Sequence, residues 1–247
     1  MSDQNNLVCV LPCIPLRAEP NDRSEQVSQI LSGEIVTKTE SCEGNWIKIQ
    51  SQEDRYEGYV DPRQFHVHTS NQKNRLLVNA DTVWDRGAFK SVAHCGSYVY
   101  LENDLYSIGD FQFDNFDAGR PNVSIVDSAL EFLGTPYHWG GKTKSGIDCS
   151  GLTQICARLL GVNLQRDASQ QAQQGVSVDW EDREVGDLAF FKNKGSKITH
   201  VGILMNDDQI IHASGEVRKD GITHEGIIHS KTGEKTHEFS HIRRMEF

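Results

Sequence analysis

The chain has 247 residues, a net charge of −10, and 24% charged and 37% hydrophobic residues, the profile of an ordinary globular protein with room for two small domains or one large one. The acidic balance argues against a nucleic acid or an anionic membrane as partner, because both are held by clusters of Lys and Arg. No apolar run is long enough to span a bilayer.

The first residues, Met-Ser-Asp-Gln-Asn-Asn, are polar and acidic and lead into no apolar run, so no secretory signal is expected. A cytoplasmic location follows if this is the native start, and a periplasmic or secreted one if a leader has been removed. Short strand-like runs come next. Cys9 and Cys13 share one face of the first. Leu16-Arg-Ala-Glu-Pro20 reads as a polar loop and Ile35-Val-Thr-Lys38 as a strand. Asn45-Trp-Ile-Lys-Ile-Gln50 alternates apolar and polar residues like a half-covered strand, and Arg55-Tyr-Glu-Gly-Tyr-Val60 closes the segment. Between 66 and 118, Leu76–Asn79, Gly96–Leu101 and the aromatic–polar alternation Asp110–Asp117 suit strands, and Gly109 marks a turn. Ala118–Asn122 is a natural linker. Val123–Gly134 is expected to be an amphipathic helix capped by Ser124 or Asn122, with Val126, Leu130 and Leu133 on its apolar face. The domains expected are therefore 1–65, 66–118 and 119–247.

The chemistry concentrates in the last of these. In Gly146-Ile-Asp-Cys-Ser-Gly-Leu152, Cys149 stands where a loop gives way to a helical pattern. Leu152, Ile155, Cys156, Leu159 and Leu160 recur at helical spacing, and Gly161 stops the helix. A thiol in a first helical turn meets unpaired N–H groups and the positive end of the dipole, which favour the nucleophilic thiolate, so a lowered pKa is expected. His200, in Ile198–Met205, and His212, in Gln209–Ser214, fall on two β-type runs. Neighbouring strands can set the two rings side by side, one to take the thiol proton and one to orient the first. The other five cysteines read as buried small hydrophobes. The spacing matches no metal site and no phosphate loop, so no metal or cofactor is expected.

Thr135-Pro-Tyr-His-Trp-Gly-Gly141, Gly146–Leu152, Gly186-Asp-Leu-Ala-Phe-Phe191, Thr199-His-Val-Gly-Ile203 and Ile211-His-Ala-Ser214 resemble the NlpC/P60 family of cell-wall cysteine peptidases, and Val8–Val60 resembles a bacterial SH3 module. The resemblance implies an α+β protein: a papain-like catalytic domain preceded by one or two small SH3-like β-barrels. It implies Cys149 as nucleophile, His200 as general base, His212 as third polar residue and Tyr137 as an oxyanion partner, with Asp148 and Ser150 touching substrate. The pairing of the two modules resembles γ-D-glutamyl-L-diamino acid endopeptidases. In those enzymes a glutamate and a tyrosine of the first module and an aspartate of the second surround the substrate's free amino terminus. Glu19, Tyr56 and Asp167 are the matching candidates. A carboxylate meeting an ammonium contributes about 1.5–3 kcal/mol, enough to select a freed murein tripeptide or tetrapeptide. Asp167 is equally placed to cap a helix starting near Ala168. Arg166, Arg218 and Lys219 are candidates for holding the substrate's carboxylates. An amidase or transferase on the same thiol, a binding module, and a wall-remodelling hydrolase are the rival readings.

Overall fold

The computed structural model describes residues 5–42, 44–68 and 74–247. The polar start through Gln4 and the stretch 69–73 of the second β region lie outside the described residues. The chain divides into two compact units, Met1–Pro121 and Asn122–Phe247.

The first unit is all β. Strands β1 to β7 span Asn6–Cys9, Cys13–Arg17, Gln26–Leu31, Ile35–Ser41, Ile47–Ser51, Glu57–Val60 and Phe65–Val67, and form one sheet in the order β3-β2-β6-β5-β4-β1-β7. Alternation puts Ile14 and Leu16, and Ile47 and Ile49, into a core shared with Ile30, Val36, Val60 and Phe65. Six further strands follow: β8 to β13 at Arg75–Leu77, Thr82–Asp85, Lys90–Ala93, Tyr98–Glu102, Leu105–Ile108 and Phe111–Phe113. A four-stranded sheet, β13-β12-β11-β8, and the β9–β10 hairpin enclose their own core of Val78, Trp84, Ala93, Val99, Ile108 and Phe113. The two parts are joined where Val8, Val10, Ile35 and Tyr100 cluster, where the Tyr100 hydroxyl donates to the Gly33 carbonyl at 3.0 Å, and where the Tyr98 N–H donates to Ser32 O at 2.9 Å. The expected long strand Asp110–Asp117 shrinks to Phe111–Phe113, because Phe116 packs back on the same aromatic cluster from outside the sheet.

In the second unit, helix α1 spans Ile125–Leu130 and is capped by the Ser124 hydroxyl, which accepts from the Asp127 N–H at 3.0 Å. It is shorter than Val123–Gly134, and its buried residues are Ile125, Ser128 and Ala129; beyond its end Phe132 is buried and Leu133 is 44% exposed. The apolar face expected from Val126, Leu130 and Leu133 is thus the wrong one of two overlapping stripes. Strands β14 (Lys142–Thr143) and β15 (Gly146–Ile147) form a small hairpin that delivers the chain to α2 (Cys149–Arg158). A short α3 (Ala168–Gln171) follows. Strands β16 to β22 span Val176–Val178, Leu188–Lys192, Ile198–Leu204, Gln209–Ser214, Glu216–Thr223, Gly226–Ile228 and Lys235–Arg244. Their order is β16-β22-β17-β18-β19-β20-β21, and β22 also pairs with β21, so six strands close on themselves. All three helices pack against β18. In β17, Leu188–Phe191 is buried without alternation.

Candidate active site

Asp148 starts the site. As N-cap of α2, its Oδ1 accepts from the Gly151 N–H at 2.6 Å, and its Oδ2 accepts from the Gly140 N–H at 2.8 Å. Arg166 grips both oxygens, Nη2 on Oδ2 at 2.6 Å and Nη1 on Oδ1 at 3.1 Å, and Nη1 also donates to the Ser150 hydroxyl at 2.9 Å. Asp148, Ser150 and Arg166 are 4%, 6% and 1% exposed. Together these three residues form a charge-paired foundation that fixes the Trp-Gly-Gly loop to the first turn of α2. The reason is the capping rule: an Asp immediately before a helix satisfies that helix's own orphan N–H groups.

Cys149 is the first residue of α2 and is buried. The backbone N–H groups of Ser150 and of Val201, the residue after His200, favour its thiolate. The expected lowering of its pKa is reversed. Burial, and then the Asp148 carboxylate, push the thiol up to about 12, outweighing the two N–H groups. At rest the group is a thiol.

His200 projects from β18 and His212 from β19. His200 Nε2 lies 2.8 Å from His212 Nδ1, and His212 Nε2 lies 3.0 Å from Asp220 Oδ2 on β20. Burial lowers the pKa of both rings, that of His200 well below the ordinary value. Burial also works against the charge of Asp220, but hydrogen bonds from His212, the Ser230 N–H and Arg218 outweigh it and hold the carboxyl well below the usual range. His200 is therefore neutral, the form that can accept a proton.

Tyr137 donates its backbone N–H to the Gly215 carbonyl at 2.8 Å and bridges to Ile147. Burial, followed by Cys149 and Asp148, raises its pKa, so the hydroxyl stays protonated and able to donate. Tyr137, Thr199, His200, Ser214 and His237 are among the residues lining an open cavity of about 260 Å³. The His237 ring, from β22, stacks on His200 with centroids 4.1 Å apart. Burial and the neighbouring His212 and Arg218 lower its pKa to about 4.

The sequence reading missed Asp220 and His237. Asp220 had a legible signal: with His212 opposite Arg218 in the β19–β20 hairpin, Asp220 is the diagonal neighbour on the same face. His237 had none, because it arrives from a distant strand. Arg218 is committed to Asp220 through Nε at 2.9 Å, and Lys219 is exposed. Asp167 caps α3, with its N–H donating to the Gln170 side chain at 3.1 Å. In the first unit, Glu19 lies in an exposed turn, and Tyr56 packs partly against the first core.

Residues 134–237 match the NlpC/P60 family, and residues 16–65 match a bacterial dipeptidyl-peptidase SH3 domain. A γ-D-glutamyl-L-lysine dipeptidyl-peptidase of Bacillus subtilis is 37% identical over 219 residues, covering 75% of this chain and 71% of that protein. A Bacillus cereus protein of the same name is 31% identical over 162 residues, 63% of this chain and 46% of that one, so the chain spans less than half of that relative's length. The fold is shared with a NlpC/P60 family protein from Bacillus cereus, at a TM-score of 0.78 and 19% identity over 97% of this chain and 99% of that one. The chain belongs to the NlpC/P60 family and carries a bacterial SH3 domain ahead of the family's catalytic fold.

Proposed function

We propose that the protein is a cysteine peptidase that hydrolyses the bond between γ-D-glutamate and the L-diamino acid of murein stem peptides. The observation that carries this reading is the buried chain His200–His212–Asp220, on the strand whose next N–H, that of Val201, favours the Cys149 thiolate. A neutral thiol beside a neutral base suits transfer of the proton as the sulfur attacks. Cys149 Sγ bonds to the amide carbon and its proton passes to His200. The Cys149 N–H and the Tyr137 hydroxyl hold the oxyanion. His200 then protonates the departing amine, leaving a thioester. Water, losing its proton to His200, releases the acid and restores the thiol. No cofactor takes part. Relatives named for cleaving γ-D-glutamyl-L-lysine support the choice of bond. Selection of a free amino terminus by Glu19, Tyr56 and Asp167, and a cytoplasmic role in recycling wall peptides, complete the proposal.

The test is incubation with L-Ala-γ-D-Glu-meso-diaminopimelate and its N-acetylated form, with products read by mass. Release of L-Ala-D-Glu from the free peptide alone, and no release by Cys149→Ala, is the expected result. Equal cleavage of both peptides removes the amino-terminal selection. Conjugates formed with added amines point to a transferase, and preferential cutting of intact wall points to a remodelling enzyme.

A further inference from the structure

We infer that Asp220 is a positioning residue for the reaction, one that sets which nitrogen of each histidine carries a proton. The inference deepens the proposed cysteine mechanism and rests on it. Asp220 is 2% exposed and receives three donors. His212 Nε2 and Arg218 Nε reach Oδ2 at 3.0 and 2.9 Å, and the Ser230 N–H reaches Oδ1 at 2.9 Å. A carboxylate held in this way only accepts. Its partner, His212 Nε2, must therefore carry hydrogen. A neutral imidazole has one N–H, so His212 Nδ1 is a bare acceptor. It faces His200 Nε2 at 2.8 Å, which must then be the donor. The one nitrogen left on His200, Nδ1, is consequently a lone pair, free to take the thiol proton.

Every link depends on the last. Were the order reversed, with His212 Nδ1–H donating to His200 Nε2, the hydrogen of His200 would sit on Nδ1 and the base would be lost. Arg218 and the Ser230 N–H keep Asp220 ionised, and so keep it an acceptor. Their strand placement makes the device rigid: β19 carries His212, β20 carries Arg218 and Asp220, and the turn after β21 carries Ser230.

Asp220→Asn tests this. The amide is nearly isosteric but offers an NH₂ group, which can donate to His212 Nε2 and reverse the chain. Loss of the acidic member of a comparable relay by this substitution costs about 10⁴-fold in turnover. Here one ring stands between the carboxylate and the base, and a fall of about 10²–10³-fold in kcat is expected, with KM within about threefold. Asp220→Glu, which restores an acceptor, should recover part of the loss. The decisive readout is ¹⁵N NMR of the histidine rings. In the wild type, His212 and His200 should each carry hydrogen on Nε2; in Asp220→Asn, His212 should move toward the Nδ1–H form. A wild-type His212 protonated on Nδ1 overturns the inference even if the variant does not fold. So does a folded Asp220→Asn with wild-type tautomers and unchanged turnover. Because the spectra need no substrate, a wild type that leaves the tripeptide intact defeats the assigned reaction while the tautomers still decide the role of Asp220.

Discussion

The two units solve opposite problems with similar β architecture. In the first, Lys48–Glu57 and Arg63–Asp61 pair with at least one partner well exposed, Arg75 reaches the buried side chain of Glu53 from a partly exposed position, and the cores are aliphatic and aromatic. Where this unit buries Glu34 and Asp54, nearby backbone N–H groups meet them, that of Leu31 on Glu34 at 2.9 Å and that of Tyr56 on Asp54 at 3.0 Å. The second unit buries Asp148 with Arg166, and His212 with Asp220. Burying ions such as Asp148, Arg166 and Asp220 costs several kcal/mol each, the attraction between paired ions often no more than offsets it, and neutral His212 gives Asp220 a hydrogen bond without a counter-charge. The second unit therefore gains little stability from these pairs. They fix the first turn of α2 and the order of protons in the His200 chain, which an apolar core cannot do.

The largest effect expected of this contrast comes from Arg166→Met. It leaves Asp148 charged, buried and unpaired, so the second unit should lose about 3–5 kcal/mol. Urea unfolding and faster hydrogen exchange in α2 would show it; a loss under about 1 kcal/mol would mean that Asp148 finds water or takes up a proton. A smaller loss is expected in the first unit from a purely steric change. Gly33 has φ +73°, and a Cβ there would lie 1.9 Å from the Tyr98 carbonyl oxygen. Gly33→Ala should cost about 2–4 kcal/mol through strain and overpacking, with exchange rising in β3 and β11. A change without effect would show that the junction between the two β cores of that unit yields easily.

The same contrast explains what the sequence could and could not disclose. Helix α2 and strands β18 and β19 were legible because each is long enough to show its period and is bounded by Gly161 or by polar residues. Strands β8 to β13 are three to five residues long, too short for alternation to separate them from loops, and only part of them was read. The capping role of Asp148 was implied by its place before a helix and went unread. The pKa of Cys149 was misjudged because the helix end is visible in a sequence and burial is not. His237 reaches the site through closure of the barrel, a tertiary fact, whereas Asp220 follows from the register of the β19–β20 hairpin.

The smallest expected effect is the one that titrates. Four histidines of the second unit, His200, His212, His237 and His241, are held below their ordinary pKa, burial being the leading cause for each. Such a group binds its proton more readily in the unfolded chain than in the folded one. Its neutral form therefore favours the fold above pH 6.5, and this contribution falls away as the pH drops toward the folded value. For His237, with a folded value of about 4, the difference amounts to about 2 kcal/mol at pH 5. The ring stacks on His200, and a phenyl ring can stack there without taking up a proton. His237→Phe should therefore match the wild type at pH 7 and unfold at higher urea at pH 5, flattening the acid limb by about 2 kcal/mol. Equal slopes in the two proteins would mean that His237 titrates as it does in water, and that the neutral state of the cluster is upheld by His200 and His212 alone.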